Sequence, residues 1–154
     1  MLATVNDIYL GLSKIINEYN PSTILVLQSA PMPVFDGVEE WVSFELLNMI
    51  GHPSRKTYAN ERLMMQLTCY SLDASYRKDK KFSRHYELAD DYYNLLNQKD
   101  YVIKNTCVRL TECKIVYLDL KSSSDFAKAI YQNSPPMQTQ SAVILVDAIV
   151  INER

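Results

Sequence analysis

From Val5 to Tyr19, the apolar residues Val5, Ile8, Tyr9, Leu12, Ile15, Ile16 and Tyr19 recur at steps of three and four. Asn6, Asp7, Lys14, Asn17 and Glu18 take the other side. That period predicts an amphipathic helix whose stripe, with Ile8, Leu12 and Ile15, packs against a sheet. Thr4 or Asn6 can cap its first amides, and the Asn20-Pro21 pair stops it, because a residue before proline is pushed out of the α region.

The pattern then changes. Thr23 to Gln28 is a short β-branched and aliphatic run, ended by Ala30, Pro31, Met32 and Pro33, and predicts a strand followed by an extended loop. After the Asp36-Gly37 turn pair, Trp41 to Ile50 sets Val42, Phe44 and Leu46 on one face and Trp41, Ser43 and Glu45 on the other. A strand is expected there, with a helix as the alternative because Glu39 to Met49 is rich in helix formers; Gly51, His52 and Pro53 break either. Arg62 to Ser71 alternates more cleanly, placing Leu63, Met65, Leu67 and Cys69 in the core and Met64, Gln66, Thr68 and Tyr70 opposite. Tyr86, Ala89, Tyr93 and Leu96, joined by Leu88, Tyr92 and Leu95, form a wide stripe on a helix from about Ser83 to Asn97. Asp90, Asp91 and Asn94 stay wet.

A short strand is possible at Tyr101 to Lys104, and a single long one is expected from Val108 to Leu120. In the long one Leu110, Glu112, Lys114, Val116 and Leu118 oppose Arg109, Thr111, Cys113, Ile115 and Tyr117. Neither face is purely apolar, which suits a strand that leaves the core and projects as part of a ribbon. Lys121 to Ser141, with three consecutive serines and Pro135-Pro136, is expected to be a flexible or projecting segment, with one helical turn around Phe126 to Tyr131. Ala142 to Ile151 is almost continuously apolar, broken by Asp147, as for an interior strand covered on both faces. The fold class that follows is α+β: a small, mostly antiparallel sheet flanked by an N-terminal and a mid-chain helix, in a single domain over residues 1–154.

Composition changes this picture little. A chain of 154 residues can bury roughly 70% of its unfolded surface around one core. Its formal charge of −2 gives no general attraction to phosphate backbones. The one local basic run is Arg77, Lys78, Lys80, Lys81 and Arg84, interrupted by Asp79 and edged by Tyr76 and Phe82. It is expected to be a solvated loop, with Arg77, Lys78, Lys80 and Lys81 available for contacts. Cys69, Cys107 and Cys113 form an odd set in apolar strand contexts, so buried thiols are expected rather than bridges. Residues Met1 to Tyr19 contain no basic leader or signal-length apolar run, and no stretch has the length of a membrane-spanning helix. These features imply a reducing cytoplasm during folding and no membrane partner.

No reactive constellation stands out. His52 and His85 are far apart, and neither has a Cys or carboxylate at metal-ligand spacing. His85, Asp79 and Asp91 leave a metal-dependent nuclease conceivable, in which Asp91→Ala would abolish cleavage. Ser122, Ser123 and Ser124 have no nearby histidine to act as base. Gly11, Gly37 and Gly51 belong to no phosphate-cradling loop. No catalytic, cofactor-binding or metal residue is therefore assigned. Among the eleven tyrosines, Tyr9, Tyr86 and Tyr93 lie on core-facing stripes. Interface residues are expected instead at Met32, Val34, Phe35 and Trp41, around the proline-bounded loop, and at Phe126 and Tyr131.

The order of elements resembles that of the tail terminator or tail-completion proteins of long-tailed bacteriophages. The stretches that carry the resemblance are Trp41-Val-Ser-Phe-Glu-Leu-Leu47, Glu61-Arg-Leu-Met-Met-Gln-Leu-Thr-Cys-Tyr70, Ala89-Asp-Asp-Tyr-Tyr-Asn-Leu-Leu96 and Ala142-Val-Ile-Leu-Val-Asp-Ala-Ile-Val150. The resemblance is one of pattern over most of the chain and includes no diagnostic motif. It implies a sheet flanked by helices and a structural virion protein, not an enzyme. Such a protein assembles as a hexameric ring that caps the tail tube and joins it to the head. The implied partners are copies of itself, the tail tube protein and a head-completion or connector protein, with DNA passing through the ring without sequence-specific binding. The implied location is the virion neck, after assembly in the host cytoplasm. The long Lys121 to Ser141 segment departs from the shorter family members. Another head-tail connector or capsid-associated protein is the alternative reading.

Overall fold

The computed structural model describes residues 3–28, 30, 37–50, 61–118 and 139–151. Helix α1 (Val5–Tyr19) starts at Thr4, whose Oγ1 accepts from the Asp7 amide at 3.1 Å while Asp7 Oδ2 accepts from the Thr4 amide at 2.9 Å. This reciprocal box satisfies two amides at the helix start. Asn20 ends the helix, ahead of Pro21. Ile8, Tyr9, Leu12 and Ile16 are buried. Ile15, expected in the innermost row, is only partly buried at its margin, because the contact row runs through Ile16 one step further round.

Strands β1 (Ile24–Leu27), β2 (Glu40–Ile50), β3 (Glu61–Leu72), β4 (Asp100–Ile103), β5 (Thr106–Leu110), β6 (Lys114–Leu118) and β7 (Thr139–Ile151) form one sheet. Its order is β1-β2-β3-β7-β5-β4, with β6 also paired to β7. Among the described residues only β1 and β2 pair in parallel. The α+β class is thus the one expected from the sequence, and β2 is a strand rather than the alternative helix. Helix α2 (Arg84–Leu96) lies across β3 and β7 and buries His85, Leu88, Ala89, Tyr92 and Leu96. Both helices pack into one core with Val42, Phe44, Leu63, Met65, Leu67, Cys69, Ile144 and Val146. That core occupies one face of the sheet.

The single long strand expected from Val108 to Leu120 does not form. Leu110 pairs with Ala148 and Lys114 with Leu145, so four steps on one strand oppose three on the other. The extra residue is a bulge at Thr111 to Cys113, and it reverses the in-out parity of everything after it. Val108 and Leu110 face the core before it, and Cys113 and Ile115 face the core after it. The mixed character of both faces in the sequence therefore comes from a parity change within a paired strand, not from a projecting ribbon.

The bulge is anchored at both ends. Thr111 donates through its amide (2.8 Å) and its hydroxyl (3.1 Å) to the Asp147 carbonyl, and the Cys113 amide donates to Asn97 Oδ1 at 2.9 Å. The connection from α2 to β4 supplies the other partners, since Gln98 N donates to Thr111 O and Leu110 N donates to Lys99 O. A β-bulge leaves backbone groups without ladder partners, and here the Thr111 amide and carbonyl and the Cys113 amide find theirs locally.

Strand β7 begins at Thr139, inside the segment expected to be mobile up to Ser141, and it is paired along both edges. It is covered on both faces only toward its start, where Thr139 and Val143 are buried on the face away from the helices. Ala142, Ile144, Val146, Ala148 and Val150 are buried toward the helices, whereas Leu145, Asp147, Ile149 and Ile151 on the other face are half-buried. The helical turn expected at Phe126 to Tyr131 lies outside the described residues.

Candidate interaction surface

The face of the sheet turned away from the helices divides into two regions. Near the start of β2 a satellite cluster forms from Val26, Trp41, Tyr70 and Leu72, with Ile24 and Val38 packed beside it. Trp41 is fully buried and stacks on Tyr70, with ring centroids 5.3 Å apart and planes 13° from parallel. Trp41, expected at an interface, is therefore a core residue. Its alternation opposite Val42 and Phe44 was legible, but the second apolar cluster that encloses it was not.

Further along, the same face becomes a strip of mixed character. Cross-strand register sets Arg62 and Arg109 on either side of Ile149, Met64 beside Asp147, Gln66 and Lys114 on either side of Leu145, and Cys107 beside Ile151. Val116 and Val102 stand on this face with 40% and 75% of their surface exposed. Arg109 Nε donates to Asp100 Oδ1 at 3.2 Å at its β4 border. The apolar groups of the strip were missed in the sequence because the run through β7 looked buried on both sides. The signal was present in Arg62 and Gln66, the polar members of the alternating partner strand.

The basic run separates into two kinds of residue. Arg77 is buried: its Nε and Nη2 donate to Asp79 Oδ1 and Oδ2 at 2.9 and 2.8 Å, and Nη1 reaches the Glu39 carbonyl at 3.3 Å and Glu40 Oε2 at 3.4 Å. Its expected place on a surface is overturned by this forked pairing, which fits a planar guanidinium. Arg84 donates to Glu40 Oε2 at 2.6 Å and to Glu87 Oε2 at 2.9 Å. Hydrogen bonding to Arg77 holds the Asp79 carboxyl well below its usual range, and Arg84 does the same for Glu87 more mildly. Both arginines are raised in return, Arg77 chiefly by Asp79 and Arg84 chiefly by Glu40. Lys78, Lys80 and Lys81, by contrast, are exposed, as expected of a solvated loop.

Met32, Val34, Phe35, Phe126 and Tyr131 lie outside the described residues. So does His52. The residues considered for a nuclease are dispersed in role: His85 is buried on the inner side of α2, Asp79 is taken up by Arg77, and Asp91 is exposed. Among the described residues no group of three or more His, Cys, Asp or Glu could hold a metal ion, and no helix is long and apolar enough to cross a membrane. Compared with protein-family models and with curated proteins, the chain matches none.

Proposed function

We propose that this chain is a structural virion protein of the tail-terminator kind, forming a ring that caps a tail tube and joins it to the head. The observation that carries the reading is the sheet face opposite the helices. There Leu145, Ile149 and Ile151 are half-buried, Val116 and Val102 are exposed, and Arg62, Asp147 and the Asp100–Arg109 pair are interspersed among them. A mixed apolar and charged surface of this kind suits a subunit contact, in which the apolar groups leave water and the charges fix the register. A heterologous contact, repeated head to tail, closes into a ring. The pattern resemblance of the sequence supplies the particular kind of ring and its neighbours, the tail tube and head-completion proteins. A protein of this kind works without a catalytic group.

Light scattering combined with negative-stain imaging tests the reading. It expects rings with a mass near six times the 17.8 kDa of one chain, and smaller species when Val102→Lys and Val116→Lys are combined. A single-chain mass at all concentrations overturns it, and a ring of another symmetry favours a different head-tail connector.

A further inference from the structure

We propose that the loop from Tyr76 to Phe82 is a contact for single-stranded nucleic acid, with lysines on the phosphates and Phe82 stacked on a base. Phe82 leaves 81% of its surface in water and Tyr76 leaves 46%. Between them stand Lys78, Lys80 and Lys81, all exposed. A phenyl ring held in water beside three ammonium groups combines the two recognition elements that a splayed strand requires: a flat apolar face and point charges for its backbone.

The loop is built to hold this arrangement. Asp79 accepts from buried Arg77 and also from the Lys81 amide at 3.0 Å, while the Lys78 amide donates to Glu39 Oε1 at 2.8 Å. Lys80 adopts a left-handed φ of 56°, and its Nζ donates to the Ser75 carbonyl at 2.9 Å. Positive charge here is separated rather than in excess. Arg77 and Arg84 engage Glu40, Asp79 and Glu87, and among the described residues Lys78 and Lys80 make no ion pair, while Lys81 stands 3.8 Å from Glu87. Charge complementarity therefore favours a polyanion at the lysine side, and one isolated phenyl ring favours a base over a lipid surface, which would require a broader apolar platform. A base inside a duplex is already stacked, so an unpaired strand is the better fit. The contact lies within one subunit and does not depend on ring formation.

Fluorescence anisotropy of a short labelled single-stranded DNA, titrated with the full chain at low salt, tests this. Three phosphate contacts predict a log–log salt slope of roughly −2 on a single strand. Phe82→Ser should weaken binding about 5- to 100-fold. Lys80→Gln with Lys81→Gln should flatten the slope by about 1.4, and Lys14→Gln, on α1, should change nothing. No binding, equal affinity for duplex, or indifference to Phe82→Ser overturns the proposal. So does binding to anionic lipid vesicles that Phe82→Ser abolishes while the oligonucleotide is ignored. The oligomeric mass of the same samples reports on the ring separately.

Discussion

Tyr9 and Phe44 are joined twice: their rings stack with centroids 5.2 Å apart and planes 7° from parallel, and the Tyr9 hydroxyl donates to the Phe44 carbonyl at 2.5 Å. The same hydroxyl accepts from the Gln28 amide at 3.0 Å. One phenol thus ties α1 to β2 and to the end of β1.

Tyr9→Phe should keep the stack and lose both hydrogen bonds, leaving a carbonyl and an amide short of partners. The expected loss is about 1–3 kcal/mol, read as a lower urea midpoint with an unchanged m-value. A midpoint equal to that of the parent would show that water replaces the phenol at no cost.

At Gly11, α1 packs directly against Ile103 of β4. A Cβ built there would lie 2.9 Å from both Cγ2 and Cδ1 of Ile103. Although alanine is the better helix former, Gly11→Ala should destabilise by about 1–3 kcal/mol through overpacking. Ile103→Ala removes the obstructing atoms, so the double variant should be more stable than the sum of the single changes predicts. Strict additivity in that cycle would remove the steric explanation.

Much of the fold was legible because α1, α2 and β3 each keep one period from end to end. The bulge at Thr111 to Cys113 was not, since a single inserted residue leaves composition unchanged and only shifts phase, and both phases remained plausible for Arg109 to Tyr117. Two of the five basic residues of the run were misjudged for a related reason: the carboxylate of Glu40, which meets both Arg77 and Arg84, is distant in sequence from either. The ammonium groups of Lys78, Lys80 and Lys81 pair with no distant carboxylate among the described residues, and proximity in sequence was an adequate guide to their exposure.

Deleting Glu112 should convert the bulge into regular pairing while keeping Leu110, Cys113 and Ile115 inward. A folded protein weakened by less than about 2 kcal/mol is expected. Deleting Arg109 instead places Leu110 outward and Thr111 inward, at about 2–5 kcal/mol, comparable to truncating a buried leucine. Thermal melts of the two deletions decide the matter, and the reverse order of stability would refute the assigned parity.

Burial pushes the Cys113 thiol up to about 11 from an ordinary value near 9, and the Tyr92 phenol up to about 12 from 10. Both are acids whose folded form keeps the proton longer. Below pH 9 the two states are equally protonated and stability is complete; above it the unfolded chain ionises first and stability declines through pH 11 to 12. Denaturation midpoints should fall over that range. Cys113→Ala should make the fall shallower by about 1 kcal/mol per pH unit across the lower part of it. Cys69, fully buried, should resist thiol reagents until unfolding, while half-buried Cys107 reacts first.

Strand β7 pairs with β3 along one edge and with β5 and β6 along the other. Every route across the sheet from β1 to β4 passes through it, although it comes after the other described strands in chain order. During synthesis on the ribosome, β1 to β3 and β4 with β5 emerge as two pieces without a shared ladder, each with an unpaired edge, and β6 gains its partner strand only with β7. They become one sheet only when residues up to Ile151 are clear of the exit tunnel. Before then β3 presents a long unpaired edge to other nascent copies, and the interval between its appearance and that of β7 is when mispairing between chains is most costly.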